Sequence, residues 1–167
     1  MIALEKVLVA TDFSEPSDAA LAYGRELARS FAAQLVVIHV VENAITAAVS
    51  ANGFVFTDPG LQETLEAAGQ RRAEDLLTVE DRILLRAQAA IVTSNAPAEA
   101  IVEYAKDSGI NLIVLGTHGR GVMAHLLLGS VAERVVRIAP CPVLTIRHPE
   151  REFVLPDALV AVTHAGR

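Results

Sequence analysis

The sequence predicts an α/β fold, a parallel sheet with helices on both of its faces. Three observations lead there. Short aliphatic runs alternate with amphipathic segments in the order β-α-β-α-β-α-β-α-β, the pattern that builds parallel sheets. The runs at 7–10, 35–41 (interrupted only by His39) and 112–115 are apolar without alternation, as strands buried on both faces are. A glycine-rich stretch, 116–130, follows one of these runs directly and leads into an amphipathic segment.

Val7-Leu8-Val9-Ala10 is the first strand. Ser14 then caps a helix, with Glu15 and Asp18 near its positive end. In that helix Ala20, Tyr23, Gly24, Leu27, Ala28 and Phe31 recur at helical spacing, which predicts one inner face. Gly24 on that face would let the helix sit close to the sheet. Residues 35–41 form the second strand. The region 42–60 is loop-like, carries Asn52-Gly53 and Asp58-Pro59-Gly60, and is of a length more often functional or mobile than inert.

Residues 61–85 read as mainly helical, and Thr78 with Asp81 can start a second helical piece, so one helix or two is open. The charges of 71–86 read as a solvated helix surface. Residues 88–94 are the third strand. Pro97 opens a helix with Ala98, Ile101, Val102 and Ala105 inside, ending at Gly109. Residues 112–115 are the fourth strand. The last helix, 131–139, has Val131, Ala132, Val135 and Ile138 inside. After Pro140-Cys141-Pro142 comes a fifth strand, 143–146, and then a tail, 148–167, with the apolar run Leu159-Val160-Ala161-Val162.

At 167 residues the chain is sized for one domain with a sizeable core. Hydrophobic residues make up 52%, but no apolar run approaches the roughly 18 residues that cross a bilayer. The start, Ile2-Ala3-Leu4-Glu5-Lys6, has no signal-peptide pattern. A net charge of -6 and 4% aromatics argue against nucleic acid, which needs positive charge and stacking platforms. The single cysteine, Cys141, excludes an internal disulfide and fits a reduced cytoplasm.

The glycine-rich stretch carries the chemistry. It reads Gly116-Thr117-His118-Gly119, a nine-residue span from Arg120, then Gly129-Ser130. Glycines let backbone N–H groups approach phosphate oxygens, and a helix start adds unpaired donors and partial positive charge. The plainer reading makes Gly116 and Gly119 a tight turn. A valine at Gly116 is expected to block phosphate while the strand survives. Neither Gly-Lys-Ser/Thr nor G-x-G-x-x-G after the first strand is present, so the commoner phosphate loops are absent. In such folds the ligand lies beyond the carboxyl ends of the strands, where strand order reverses. Asp12 follows the first strand and Gly116 ends the fourth, so both line one crevice if those strands are neighbours.

Asp12 is a candidate for ribose, because a carboxylate accepts two hydroxyl hydrogen bonds; a helix cap is its plainer role. Arg120, the one basic residue of the span, is the preferred phosphate contact. The five histidines show no metal-ligand spacing. His39 near the end of a buried strand reads as a hydrogen-bonded structural residue. Cys141, between two prolines, reads as a small packed side chain.

Several blocks in order resemble the universal stress protein family: Val7-Leu8-Val9-Ala10-Thr11-Asp12-Phe13-Ser14, His39-Val40-Val41-Glu42, 112–121, 126–136, and Ala139-Pro140-Cys141-Pro142-Val143-Leu144. The resemblance covers roughly residues 4–147. It implies a nucleotide-binding domain over 1–147, a C-terminal extension over 148–167, and an adenine nucleotide alpha hydrolase-like sheet of five parallel strands in the order 3-2-1-4-5. The family's ATP-binding class carries G-x2-G-x9-G-S/T, matched here by Gly116, Gly119, Gly129 and Ser130. The resemblance implies that Asp12 holds the ribose or adenine side with the backbone of Ala10 and Thr11 nearby, and that Val40 meets adenine. It implies that Arg120 and the Gly129-Ser130-Val131 backbone meet the phosphates, with Thr117 in the same loop. It also implies a homodimer through the fifth strand, Val143–Ile146.

The expected function is a cytoplasmic, ATP-binding stress-response regulator, with Mg²⁺ or Mn²⁺ bridging the phosphates and an unidentified protein partner. A slow ATPase is the alternative: the loop offers Arg120, His118 and His125 but no lysine, so hydrolysis is expected to be slow or absent. A dimeric interaction module that needs no nucleotide is the other alternative.

Overall fold

A computed structural model describes residues 4–44, 60–117 and 129–147 of the chain. Five strands, β1 (Lys6–Ala10), β2 (Gln34–Val41), β3 (Gln88–Thr93), β4 (Leu112–Gly116) and β5 (Val143–Ile146), form one sheet in the order β3-β2-β1-β4-β5. Every neighbouring pair is parallel. The expected 3-2-1-4-5 topology is therefore the observed one. The described helices are α1 (Glu15–Phe31), α2 (Leu61–Asp75), α3 (Val79–Leu84), α4 (Pro97–Asp107) and α5 (Ser130–Ile138).

Continuous hydrophobicity in the strands has the predicted cause. Successive side chains point to opposite faces, and each face has its own core. Val7, Val9, Leu35 and Val37 pack with Ala20, Leu21 and Ala28 of α1. Leu8, Val36, Ile38 and Ile113 pack on the other face with Ile101 of α4 and Val135 of α5. Cys141 lies against this second core, and burial pushes its thiol pKa up. That is the environment of a packed side chain rather than an activated thiolate.

Helix α1 sits close to the sheet through Gly24: a β-carbon there would lie 2.3 Å from Val9 Cγ2. The inner stripe is the expected one in part, since Ala20, Gly24 and Ala28 are buried and Leu27 packs against the core. It runs through Ser17, Ala20, Leu21, Gly24 and Ala28, whereas Tyr23 and Phe31 are 40% and 54% exposed. Small residues face the strands, and the two aromatics turn outward.

The helical region after residue 60 is two helices, and Thr78 starts the second by accepting from the Asp81 amide at 3.0 Å. Asp81 departs from the expected solvated surface, being 1% exposed. Its Oδ2 accepts from Arg25 Nε at 2.9 Å and from the Thr78 amide at 2.9 Å. Arg25 also donates to the Leu76 carbonyl. Burial pushes the Asp81 carboxyl pKa up, but the Thr78 amide, Arg25 and the Thr78 hydroxyl together hold it below its ordinary value. One buried carboxylate thus ties α1 to the junction between α2 and α3.

Candidate functional site

Strand β1 pairs with β2 on one side and β4 on the other, so the strand order, though not the strand direction, reverses between β1 and β4. Above their carboxyl ends lies a cavity of about 400 Å³, within the usual range for a small-molecule site. Ala10, Thr11 and Asp12 line it from the end of β1, and Val40 from β2. Gly116 and Thr117 enter from β4, and Gly129, Ser130 and Val131 from the start of α5. The fold thus gathers these sequence-predicted residues around one space. Gly119 and Arg120, with His118 and His125, lie outside the described residues.

The turn after β1 is tightly tied. The Thr11 amide donates to the Ile38 carbonyl at 2.9 Å, continuing the β1–β2 ladder. Thr11 Oγ1 lies 3.1 Å from Ser17 Oγ and accepts from the Phe13 amide at 3.0 Å. Asp12 Oδ1 accepts from the Ser14 amide at 3.1 Å and the Ser14 hydroxyl at 2.5 Å. Asp12 itself does not cap α1, whose N-cap is Ser14; one of its oxygens shapes the turn into that helix, and the carboxylate also lines the cavity. Ser14 is the residue before α1, as expected.

His39 lines the cavity too, and its Nδ1 lies 2.8 Å from the Thr11 carbonyl. A carbonyl only accepts, so Nδ1 carries the proton. This is the structural hydrogen bond expected of that residue.

On the other side, the Thr117 amide donates to the Ile146 carbonyl at 2.8 Å. The Gly129 amide donates to the Thr117 carbonyl at 2.6 Å. That bond joins the β4 end to the α5 start, so the Gly129 amide points at Thr117 rather than at a ligand. The first-turn amides of Ser130, Val131 and Ala132 have no intrahelical acceptor, by helix geometry. They are the donors this helix start can offer an anion.

Gly116 is required by a neighbour that sequence reasoning did not foresee. A β-carbon there would stand 2.9 Å from the carbonyl carbon, the carbonyl oxygen and Cβ of Pro16. The glycine lets α1 pack across the end of β4. The expectation that Gly116→Val would spare the strand is corrected on this ground.

Sequence reasoning also missed Ser17, Pro97 and Ile101 as lining residues. Pro97 and Ile101 come from α4, whose distance in sequence gives no sign of its place beside Val40. Among the described residues no group of three or more His, Cys, Asp or Glu could hold a metal ion.

The model of the universal stress protein family matches residues 3–147. The chain belongs to this family. It is 31% identical over 148 residues to universal stress protein MJ0531 of Methanocaldococcus jannaschii, covering 89% of this chain and 85% of that one. It is 35% identical over 145 residues to a universal stress protein of Thermus aquaticus, covering 84% and 97% of the two chains. The solved structure of MJ0577, another Methanocaldococcus jannaschii protein, superposes with a TM-score of 0.72 at 26% identity, covering 90% of this chain and all of that one. A universal stress protein solved in complex with cAMP shares the fold, at a TM-score of 0.60 and 24% identity over 87% of this chain and 98% of that one.

Proposed function

We propose that this universal stress protein is an ATP-binding regulatory protein. One observation carries the reading: the crevice at the topological switch point joins an apolar slot, a carboxylate and a helix start in a single cavity. The adenine would lie against Val40, in the slot that Pro97 and Ile101 extend. The ribose hydroxyls would meet Asp12, beside the backbone of Ala10 and Thr11. The phosphates would run past Gly116 and Thr117 to the amides of Ser130 and Val131, where unpaired donors and the helix dipole favour negative charge. Gly119 and Arg120 would complete that end.

The residues fit such a ligand: a cavity of about 400 Å³ accommodates a nucleotide, and its lining combines apolar side chains such as Val40 and Ile101 with the polar Thr11, Asp12 and Ser130. A Mg²⁺ or Mn²⁺ ion would be held by the phosphates and water, as is usual for Mg²⁺ on a nucleotide. The described lining residues include no lysine, so turnover is expected to be slow beside that of a working kinase.

The role we assign to binding is a shift in population. A partner that prefers the occupied form would be recruited by it, and by no more than the difference in affinity. The partner would be a protein, and the setting the cytoplasm. Among the described residues no helix is long and apolar enough to cross a membrane. The β5 edge of the sheet would join two copies into a homodimer.

The test is calorimetric titration with ATP, ADP, AMP and cyclic AMP, after mass spectrometry of any nucleotide released from freshly purified protein. An ATP Kd in the low micromolar range is expected, about -8 kcal/mol. Absence of heat with all four nucleotides would reject the reading and favour the nucleotide-independent module.

A further inference from the structure

Phe13, the residue after Asp12, has φ 63°. In this left-handed region a β-carbon crowds the following carbonyl, and glycine or asparagine is the usual occupant. A bulky aromatic side chain stays there only where its surroundings over-determine it. The Phe13 ring meets the His39 imidazole with centroids 4.3 Å apart and planes tilted by 48°. The Arg72 guanidinium of α2 stands 4.0 Å from the ring centre, inside the range of a cation–π contact. His39 in turn holds the Thr11 carbonyl at 2.8 Å. Strand β2 and helix α2 therefore grip the residues on both sides of Asp12.

We infer that Phe13 is a positioning residue for sugar recognition: its ring, held by His39 and Arg72, fixes the turn that aims the Asp12 carboxylate at the ribose diol. The inference rests on the reading of Asp12 given above. A carboxylate that accepts from two adjacent hydroxyls must be placed within about 0.5 Å, and that precision comes from supporting contacts. Glycine at this position would relieve the backbone crowding, so the presence of phenylalanine means that its side chain offsets that cost. The contact offsetting it is the stack on His39 and Arg72.

Phe13→Gly separates the ring from the backbone, because glycine adopts this φ without penalty. The experiment compares ATP with its dideoxy analogue, which lacks both ribose hydroxyls, by calorimetry on the full chain. The unmodified protein is expected to prefer ATP by about tenfold, the worth of charge-assisted hydrogen bonds to the diol. In Phe13→Gly, ATP should weaken about fivefold while the analogue changes by less than about twofold, so the preference collapses. Arg72→Ala should shift the preference the same way by a smaller factor.

A preference retained in both variants overturns the inference and leaves the proposed function standing. Equal weakening of both ligands also overturns it, because the ring would then serve the fold as a whole. Unmodified protein that binds ATP without distinguishing the analogue removes the role given to Asp12, and this inference with it. Unmodified protein that binds no nucleotide removes the proposed function as well. Circular dichroism checks that each variant folds. If Phe13→Gly does not, Arg72→Ala carries the comparison, since Arg72 is an exposed residue.

Discussion

Gly116 and Pro16 touch so closely that a β-carbon on the glycine would lie 2.9 Å from the backbone of Pro16. This contact seats the start of α1 against the end of β4, and so sets the spacing of the two strand ends that frame the cavity. Backbone atoms cannot swing aside as the tip of a long side chain can. Gly116→Ala should therefore destabilise the fold by about 2 kcal/mol, in the range of overpacked cores. Urea unfolding would check it, with a lowered midpoint at unchanged slope as the expected result.

Ser130 offers a more selective probe of the phosphate end. It is the first residue of α5, where proline is tolerated, and Gly129 before it is already extended, with ψ 154°. Ser130→Pro removes one amide donor and leaves the helix able to form. We expect ATP affinity to fall about tenfold, as for loss of a hydrogen bond to a charged group, with adenosine affinity unchanged. Equal loss for both ligands in calorimetry would count against the placement of the phosphates.

Removing Arg25 strands a buried carboxylate. Arg25→Ala should cost about 2–3 kcal/mol, somewhat below the loss seen for fully buried pairs, because Arg25 keeps some exposure. Asp81 has a lowered pKa in the folded protein. It therefore stabilises the fold above its unfolded pKa, and that contribution disappears as pH falls through the folded value, below about pH 4. In Arg25→Ala the folded pKa rises, so acid unfolding should begin at a higher pH than in the unmodified protein. Acid titration followed by circular dichroism would show this displacement.

The proposed homodimer has a test in the register of β5. Pro142 and Ile146 turn their carbonyls to β4, accepting from Ile113 and Thr117 at 3.1 and 2.8 Å. Alternation along the strand turns the backbone of Val143 and Thr145 to the open edge. Thr145→Pro removes an outward donor without breaking the β4–β5 ladder. Sedimentation velocity should show a monomer with unchanged secondary structure. A surviving dimer would place the interface elsewhere.

Much of this was legible because local pattern and burial agree. Residues such as Val36 and Val37 lie on opposite faces and both meet a core, so the apolar run had one consistent meaning. Gly24 was readable for the same reason, as the small residue on a helix that must approach a sheet. Tyr23 and Phe31 were misassigned because helical spacing defines a stripe only to within one neighbouring position. Ser17 and Leu21 take inner places on α1 instead. Asp81 looked like any charge on a polar helix, because its partner, Arg25, is distant in sequence and lies on another element.

The candidate site divides along similar lines. Asp12, Gly116, Gly129 and Ser130 stand out as residue types at strand ends and a helix start, but that Asp12 and Gly116 share one crevice depended on β1 and β4 being neighbours, which the sheet shows. Pro97 and Ile101 carry no such mark, and neither does the clasp of Phe13 by His39 and Arg72. The alternation of strands and helices, the two-sided core and the glycine pattern follow from the chain itself, because periodicity and backbone permissiveness are local properties. Which helix face turns inward, why Gly116 tolerates no side chain, and what holds the turn around Asp12 were decided by tertiary structure alone. They depend on distances between segments far apart in sequence, and those exist only once the sheet has brought the segments together.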